Sequence, residues 1–415
     1  MMLPFAEAQR IVLDNTPVVG REKVPLRQAL GRVLAEEIVS GVDVPPWDNS
    51  AVDGFAVRVK DLKGASRQNP IVLRVVEEVP AGRVSLRPLG EGEAIRIMTG
   101  AAIPAGTEAV VMVEDTEAME EDKVGILREV GVGANIRRRG EDLQAGSKVL
   151  APGTVLGAAE IGVLASLNRG YVFVHRRPRV GILATGDELV EVGEARAPGQ
   201  IVSSNTYTLT CQVEQCGGIP FDLGIAADRV DHLRERLREG LDCDLLITSG
   251  GVSMGEYDLV REALQGMPGE MKFWRVAMRP GMPTAFGLLD GKPFLGLPGN
   301  PVSSMVCFEL FARPALLKMG GHTCLFRPSL LAVAQEEIRI KSGRRHFLRV
   351  RLERVGEEIR ISLTGDQGSG ILTSLVQAHG LAEIPEDTPL IRPGERVKVL
   401  LLDRGLTFLG REDRL

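Results

Sequence analysis

The sequence predicts an α/β and β multidomain protein, in which a doubly wound α/β domain is accompanied by small β-rich subdomains. The chain has 415 residues, and at about 100 to 200 residues per domain this favours two to four domains. Apolar strands alternate with amphipathic helices from about 172 to 320, which is typical of a parallel sheet covered on both faces. Short apolar runs between Gly and Pro turns fill 50–140 and 325–415 and predict β structure.

The elements follow in chain order from the spacing of apolar residues. Two helices are expected between 5 and 38, because Leu26, Leu30, Val33 and Ile38 recur at helical spacing, and a further helix is expected at 157–167. In the α/β region the expected strands are 179–184, 221–226, 244–248 and 293–297, and the expected helices are 204–217, 229–240, 256–264 and 301–318. The β-rich parts are expected to hold strands at 71–76, 94–99, 109–114, 124–130, 330–340, 347–352, 359–363 and 397–402.

The composition excludes several classes of function. Hydrophobic residues make up 44% and charged residues 25%, as in a folded soluble protein. The formal net charge is -5, so no nucleic-acid partner is expected, since such proteins usually carry a basic excess. No apolar run approaches the about 20 residues that span a bilayer, and no signal-peptide pattern is found. The 5 cysteines include no Cys-x-x-Cys, which favours the reducing cytoplasm over a disulfide framework or a zinc site.

Polar residues and glycines follow four of the predicted strands, at the edge where an open α/β sheet binds its ligands. The backbone N–H groups of the loop 249–255 suit a phosphate or another oxyanion, although an ordinary tight turn also explains one Gly-Gly pair. The four segments are Thr185-Gly186-Asp187-Glu188, Ala227-Asp228, Ser249-Gly250-Gly251-Val252-Ser253, and Pro298-Gly299-Asn300-Pro301.

Charged residues near these segments suggest two kinds of partner. Carboxylates offer the oxygen ligands that Mg²⁺ takes beside a phosphate, but each one alone also fits a helix N-cap or a solvated acid. Arginines suit phosphates and tetrahedral oxyanions, or are solvated charges. The acids are Asp187, Glu188, Asp228 and Asp258, and the arginines are Arg275, Arg279, Arg344, Arg345 and Arg349. The Walker lysine loop and a Gly-x-Gly-x-x-Gly after a strand are absent from the sequence, which disfavours nucleotide motors and dinucleotide binding.

Several short segments stand in a fixed order over nearly the whole chain. They are Pro45-Pro46-Trp47-Asp48-Asn49-Ser50-Ala51-Val52-Asp53-Gly54-Phe55-Ala56, Ile97-Met98-Thr99-Gly100-Ala101, Gly140-Glu141-Asp142, Thr185-Gly186-Asp187-Glu188-Leu189, Thr248-Ser249-Gly250-Gly251-Val252-Ser253, Arg279-Pro280-Gly281-Met282-Pro283, Leu297-Pro298-Gly299-Asn300-Pro301-Val302-Ser303 and Gln367-Gly368-Ser369. Each is weak alone. In this order they resemble the molybdopterin molybdenumtransferases, the bacterial MoeA family to which the E-domain of gephyrin also belongs.

The resemblance implies the last step of molybdenum cofactor synthesis. Adenylylated molybdopterin is hydrolysed, releasing AMP, as molybdate is inserted into the dithiolene with Mg²⁺ present. It also implies an elongated homodimer. The α/β domain of the family is also found in the partner enzyme, molybdopterin adenylyltransferase. The expected boundaries are 1–43 and 140–173 for a discontinuous subdomain I, 44–139 for an inserted β-rich subdomain II, 174–322 for the α/β molybdopterin-binding subdomain III, and 323–415 for a C-terminal β subdomain IV.

The resemblance further implies roles for single residues. The expected catalytic residues are Asp53, Thr99, Asp142, Glu188, Asp228 and Asp258, and the expected Mg²⁺ ligands are Asp187, Glu188, Asp228 and Asp258. The expected substrate-binding residues are Ser249, Gly250, Gly251, Ser253, Arg275, Arg279, Pro298 and Asn300. The residues expected around molybdate are Pro283, Ser303, Arg345 and Ser369.

One position departs from the pattern. The family commonly shows Lys-Pro-Gly-Lys-Pro where this chain has Arg279-Pro280-Gly281-Met282-Pro283. Arg279 keeps the positive charge, whereas Met282 loses a cation expected near the oxyanion. Another Arg replaces it, or the chain uses a different oxyanion such as tungstate, or its insertion activity is weak. The alternatives to molybdate insertion are therefore a tungstate-inserting member of the same family and a non-catalytic molybdopterin-binding scaffold.

Overall fold

A computed structural model describes residues 2–119, 122–251 and 259–411. The chain divides into two compact units, one formed by Met1–Lys23 with Phe173–Leu415 and the other by Val24–Val172. The division passes through the strands Arg21–Pro25 and Tyr171–His175. The boundaries of the four expected subdomains stay a prediction, and the first 23 residues of the expected subdomain I lie in the larger unit.

The larger unit contains the predicted doubly wound α/β domain, which is confirmed. Its six-stranded sheet consists of β1 (Arg179–Thr185), β2 (Ile219–Ala226), β3 (Leu245–Ser249), β4 (Gly269–Phe273), β5 (Ala285–Leu289) and β6 (Lys292–Leu297). In spatial order the strands are β2-β1-β3-β6-β5-β4. β2, β1, β3 and β6 are parallel to one another, and β5 runs antiparallel to both of its neighbours, β6 and β4. The spacing of apolar residues did not predict β4 and β5.

Helices cover both faces of this sheet, because successive side chains along a strand point to opposite sides. Ile182 and Ile247 pack into a core on one face, and their neighbours Leu183 and Leu246 pack into a second core on the other. The helices are α1 (Ser204–Gln215), α2 (Val230–Glu239), α3 (Leu259–Gln265), α4 (Pro301–Cys307) and α5 (Arg313–Met319). A π-helical turn, Phe308–Ala312, joins α4 to α5.

A closed β sheet and the N-terminal helix complete the larger unit. The helix Phe5–Asp14 places Phe5 against Phe311 and Phe347, with ring centroids 5.7 and 5.0 Å apart. The sheet closes because Gly380–Ile384 pairs back with Arg345–Val355. Its other strands are Met278–Arg279, Glu358–Leu363, Ser329–Ala334 and Arg396–Leu401. Smaller elements are the strands Leu189–Val190, Ile201–Val202, Ile338–Arg339 and Leu390–Ile391, the 3-10 helix Gly240–Asp242, and the helices Thr373–Gln377 and Asp403–Arg411.

The smaller unit is built on a second six-stranded sheet, as the β-rich pattern predicts. In spatial order its strands are Ala109–Met112, Gly54–Val57, Glu93–Ile97, Ile71–Val79, Lys123–Ile126 and Thr116–Ala118. Two short antiparallel pairs accompany it, Ile38–Val39 with Lys148–Leu150 and Asn49–Ser50 with Ile136–Arg137. The predicted helix is present as Ala158–Ser166, and 3-10 turns occupy Leu26–Gln28, Val59–Leu62 and Val113–Asp115.

The prediction of a second helix between 5 and 38 is wrong, because residues 15–38, all of which the structure describes, hold a single helical turn, the 3-10 turn Leu26–Gln28. Gly31 has a φ of +73°, a left-handed conformation that ends a helix. Beyond it the chain is extended, and Leu34 N–H donates to the Thr154 carbonyl while Leu156 N–H donates to the Arg32 carbonyl. Among the described residues, no helix combines the length and the apolar character that crossing a bilayer requires.

The packing of Phe5 against Phe347 indicates that Phe347 contributes strongly to the stability of the larger unit. Phe347 is fully buried against Phe5, so Phe347→Ala is expected to lower the free energy of unfolding by about 3 to 5 kcal/mol. Urea unfolding followed by circular dichroism measures this loss. Phe326→Ala is the matched control, because Phe326 is 53% exposed, and a comparable loss there would contradict the assignment.

Candidate functional site

The carboxyl ends of β1, β2, β3 and β6 border one cavity of about 500 Å³ in the larger unit, which we call the strand-end cavity. Its volume lies in the range of about 300 to 1,000 Å³ that small-molecule sites occupy. It is bordered by Ala184, Thr185, Gly186, Glu188, Leu189, Ile201, Val202, Ser203, Ser204, Asn205, Asp228, Ser249, Gly250, Gly251, Leu259, Pro283, Pro298, Gly299, Asn300 and Pro301.

The loop that leaves β3 lies directly against the end of β1. Gly250 and Gly251 have φ angles of +95° and +68°, which favour glycine. A Cβ atom on Gly250 would lie 2.7 Å from the Thr185 carbonyl oxygen, and one on either glycine would lie 2.9 Å from Thr185 Oγ1. Glycine is therefore required at both positions. The positive φ angles alone would fit an ordinary tight turn, but the close contacts with Thr185 show that the loop is also packed against the neighbouring strand.

Asn205, in the first turn of α1, connects two loops of the strand-end cavity. Its side-chain Nδ2 donates hydrogen bonds to Ser249 Oγ at 2.7 Å and to the Gly299 carbonyl oxygen at 2.8 Å. Asn205 is 9% exposed. No sequence motif singled it out, and the signal it offers is a polar run, 203–206, at the start of a predicted helix.

Two of the four expected metal ligands, Asp187 and Asp228, are linked by hydrogen bonds at the ends of β1 and β2. Asp228 N–H donates to Asp187 Oδ1 at 2.9 Å, and Asp187 N–H donates to Asp228 Oδ2 at 3.4 Å. Glu188 folds its carboxylate back over Gly186, where a Cβ atom would collide with it. Glu188 and Asp228 border the strand-end cavity, so their oxygen atoms are available to a ligand there.

The metal assignment stays a prediction. Within 2–119, 122–251 and 259–411, no three His, Cys, Asp or Glu side chains are grouped closely enough to hold a metal ion. The fourth expected ligand, Asp258, and the expected substrate-binding residue Ser253 lie outside the described residues.

Arg279 lies at a different cavity, of about 300 Å³, which we call the basic cavity. Its wall includes the buried side chains of His346 and Arg349. Burial lowers the pKa of His346, and the nearby Arg279 and Arg344 act in the same direction. Arg349 donates to Ser374 Oγ at 3.0 Å and to the backbone carbonyls of the adjoining loop 366–368. The other expected arginine, Arg275, is exposed and borders neither the strand-end cavity nor the basic cavity.

The four residues expected around molybdate are not gathered at one cavity. Pro283 borders the strand-end cavity, and Ser303 is buried in α4. The Ser369 carbonyl accepts a hydrogen bond from Val302 N–H at 3.1 Å, close to the start of the same helix. Arg345 instead borders a third cavity. There it forms ion pairs with Glu383 at 2.9 Å and with Glu386 at 3.0 Å, so its charge is already compensated.

The smaller unit holds the remaining expected catalytic residues. Asp53 Oδ1 accepts hydrogen bonds from the Thr99 backbone N–H and from Thr99 Oγ1, both at 2.7 Å. These hydrogen bonds lower the pKa of Asp53 below its usual value, and the bond from the Thr99 hydroxyl has a larger effect than the bond from the Thr99 N–H. Asp142 is exposed, and its backbone N–H donates to the Val44 carbonyl at 3.1 Å. Asp53 and Thr99 therefore form one pair, which presents an ionised carboxylate to solvent.

A doubly wound α/β domain with a glycine loop and carboxylates around one cavity belongs to the class of open-sheet α/β proteins, which bind their ligands at the carboxyl ends of the strands. Family models match three consecutive parts of the chain. They are the MoeA N-terminal region (domain I and II) at 3–168, the probable molybdopterin binding domain at 181–318, and the MoeA C-terminal region (domain IV) at 332–402. The chain belongs to the MoeA family of molybdopterin molybdenumtransferases.

Individual relatives are similar over nearly the whole chain. "Molybdopterin molybdenumtransferase 2" of Mycobacterium tuberculosis is 40% identical over 404 residues, which cover 96% of this chain and 99% of that protein. The molybdopterin molybdenumtransferase of Nostoc is 38% identical over 92% of this chain and 88% of its own length. A crystal structure of the molybdopterin biosynthesis protein MoeA from Pyrococcus horikoshii matches with a TM-score of 0.83, 36% identity, and coverage of 97% and 100%. These findings confirm the predicted family and fold class.

The glycine loop yields a matched pair of substitutions. Gly250→Ala is expected to lower the free energy of unfolding by about 1 to 3 kcal/mol, because a methyl group at a positive φ meets the Thr185 backbone. In the facing loop, a Cβ atom on Gly299 would make an ordinary contact of 3.5 Å with Gly250 Cα, so Gly299→Ala is expected to cost less than about 1 kcal/mol. Urea unfolding of both variants checks the difference, and equal losses would refute the steric explanation.

Proposed function

We propose that this chain inserts molybdate into adenylylated molybdopterin and releases AMP, with Mg²⁺ bound at the strand-end cavity. Membership of the family supports the transferase class. The observation that carries the proposal is the joint placement of the loop 249–251 and of the carboxylates Glu188 and Asp228 around that cavity. A phosphate-bearing ligand needs N–H donors for its oxygens and acids that can carry a counter-cation, and this cavity offers both.

The residues of the cavity have distinct tasks in this proposal. The start of α1 holds the phosphate bridge between pterin and adenosine, since the N–H groups of a helix start lack partners within the helix. Gly250 and Gly251 let the bridge approach closely because they carry no side chains, while the Gly250 N–H is already bonded to the Leu297 carbonyl. Hydrolysis forms a bond from a water oxygen to phosphorus and breaks the bridging P–O bond, so that AMP leaves. A carboxylate of the cavity, Glu188 or Asp228, accepts the proton that the attacking water loses.

The acids of the strand-end cavity fit a magnesium ion. Glu188 and Asp228 border the cavity. One Asp228 carboxylate oxygen accepts a hydrogen bond from Asp187 N–H, which leaves its second oxygen and the Glu188 carboxylate for an ion that keeps water as its other ligands. Oxygen donors of this kind are what Mg²⁺ takes. When bound there, Mg²⁺ would neutralise charge on the phosphate bridge and on the departing AMP.

For molybdate, we propose a place beside Arg279. Arg279 is exposed at the basic cavity, so its guanidinium can meet a tetrahedral oxyanion. Arg345 is less suited, because Glu383 and Glu386 already hold it. The homodimer, the delivery of substrate by molybdopterin adenylyltransferase and the location in the cytoplasm are further proposals that rest on the family.

Release of AMP tests the proposed function directly. Purified protein given adenylylated molybdopterin, Mg²⁺ and molybdate is expected to release AMP, measured by liquid chromatography. Asp228→Asn is expected to slow the release at least about tenfold, whereas Asp231→Asn is the control, because that side chain is 88% exposed. Equal rates for the two variants would remove Asp228 from the catalytic residues. Binding of the substrate without AMP release by the unaltered protein would favour the scaffold alternative.

The second candidate, a tungstate-inserting member of the family, rests on the resemblance alone, in which Met282 stands where a cation is expected near the oxyanion. Met282→Lys is expected to lower the molybdate concentration for half-maximal insertion about threefold to tenfold, since an added cation attracts the oxyanion. Met119→Lys, at a 37% exposed methionine of the smaller unit, is the control for a general charge effect. Molybdate and tungstate are compared in competition with each variant. An unchanged concentration would show that the missing cation does not limit oxyanion binding.

A further inference from the structure

Asn205 occupies a position from which one side chain controls two loops of the strand-end cavity. Its amide nitrogen lies 2.7 Å from Ser249 Oγ and 2.8 Å from the Gly299 carbonyl oxygen. Ser249 ends β3, and Gly299 precedes α4. The amide group is thus a bridge between the loop after β3 and the loop after β6.

The chemistry of the partners fixes the orientation of this amide. A backbone carbonyl only accepts hydrogen bonds, so the atom facing Gly299 must be the NH₂ group of Asn205. The same NH₂ group then donates to Ser249 Oγ. In the described part of the chain the other amide atom, Asn205 Oδ1, is buried without a hydrogen-bond partner.

This orientation determines what the Ser249 hydroxyl can do. Ser249 Oγ already accepts a hydrogen bond from Asn205, so its own proton is free to donate elsewhere. Ser249 borders the strand-end cavity beside Gly250. A hydroxyl held as a donor in this cavity, which the start of α1 also borders, adds one more donor for an anionic oxygen.

We propose that Asn205 is a positioning residue for the phosphate-binding loop, which fixes the Ser249 hydroxyl as a donor to a phosphate oxygen of the substrate and holds the Gly299 loop in place. This inference rests on the proposed function, because it takes the ligand of the cavity to be adenylylated molybdopterin. A second feature also indicates a ligand here. Thr185 Oγ1, beneath the same glycine loop, is buried without a hydrogen-bond partner among the described residues. Buried polar atoms without a partner are rare in folded proteins.

A double-substitution experiment separates positioning from a purely structural role. The affinity for adenylylated molybdopterin is measured by fluorescence titration for Asn205→Ala, Ser249→Ala and the two combined. Each single substitution is expected to weaken binding about tenfold or more, since hydrogen bonds to a charged group are lost. If Asn205 acts through Ser249, the combined variant binds about as weakly as Asn205→Ala alone, because the second change finds the interaction already gone.

Gln212→Ala is the matched control. Gln212 lies on the same helix, is 5% exposed, and donates its amide to the Met305 carbonyl at 3.3 Å and to Glu309 at 3.2 Å, outside the strand-end cavity. It is expected to bind substrate within about twofold of the unaltered protein, and its effect should combine additively with Ser249→Ala. Thermal unfolding of every variant shows how far a general loss of stability contributes.

Asn205→Asp gives a test of a different kind. An ionised carboxylate in place of the amide repels the Gly299 carbonyl, whereas the protonated acid can donate one of the two hydrogen bonds. Relative to the unaltered protein, its affinity is therefore expected to recover as pH falls through the pKa of the new carboxyl group. A ratio of affinities that does not change with pH would overturn the assignment of the Asn205 amide as a donor to both loops.

The outcomes distinguish this inference from the proposed function. Additive losses in the combined variant, or near-normal binding by Asn205→Ala, would overturn the positioning role while AMP release still supported the function. Non-additive losses of binding with no AMP release by the unaltered protein would support the positioning role and refute the function. Failure of the unaltered protein to bind adenylylated molybdopterin would overturn both.

Discussion

The close approach of the β3 loop to the end of β1 is the constraint on which the strand-end cavity depends. β1 and β3 are adjacent parallel strands, and their pairing places Ala184 opposite Ser249. The residues that follow, Thr185 and Gly250, are therefore in close contact, and a side chain at position 250 would clash with Thr185. The N–H of Gly250 then donates to the Leu297 carbonyl at 3.0 Å, which ties β6 to the same point. Three strand ends are thereby fixed around one space.

Much of the α/β domain could be predicted, because a strand buried on both faces has a continuous apolar sequence that is visible without knowing its neighbours. The strands β4 and β5 could not. They pair antiparallel at the edge, and Gly269 and Gly287 lie so close to neighbouring backbone that a Cβ atom would clash. That requirement comes from tertiary contact and leaves no periodic pattern. The false helix after residue 26 has the opposite cause, since a helical pattern was present and pairing with the segment 154–156 prevailed.

The candidate site shows the same division. The acids and glycines at the strand ends could be predicted, because topology alone brings the carboxyl ends of parallel strands together. Asn205 could not, because its importance comes from two loops that are distant in sequence. The position of Arg345 depends on strand geometry: neighbours on a strand point to opposite faces, so His346 borders the basic cavity while Arg345 points to its acidic partners. Composition and motif order do not contain that information.

The π-helical turn between α4 and α5 has a consequence for how this domain can change. Each residue of an α-helix advances the chain by about 100°, whereas a π-helical turn takes an extra residue into the ring of its hydrogen bond. The side chains of Pro301–Cys307 and Arg313–Met319 are therefore out of phase, and Glu309, within the turn, accepts hydrogen bonds from Gln212 and Arg327. Pro314, at the start of α5, has no N–H to donate to a preceding carbonyl, so the π-helical turn lies where a regular α-helix could not continue undisturbed. An insertion or a deletion of one residue in this stretch would rotate the side chains of α4 relative to those of α5 by about 100°.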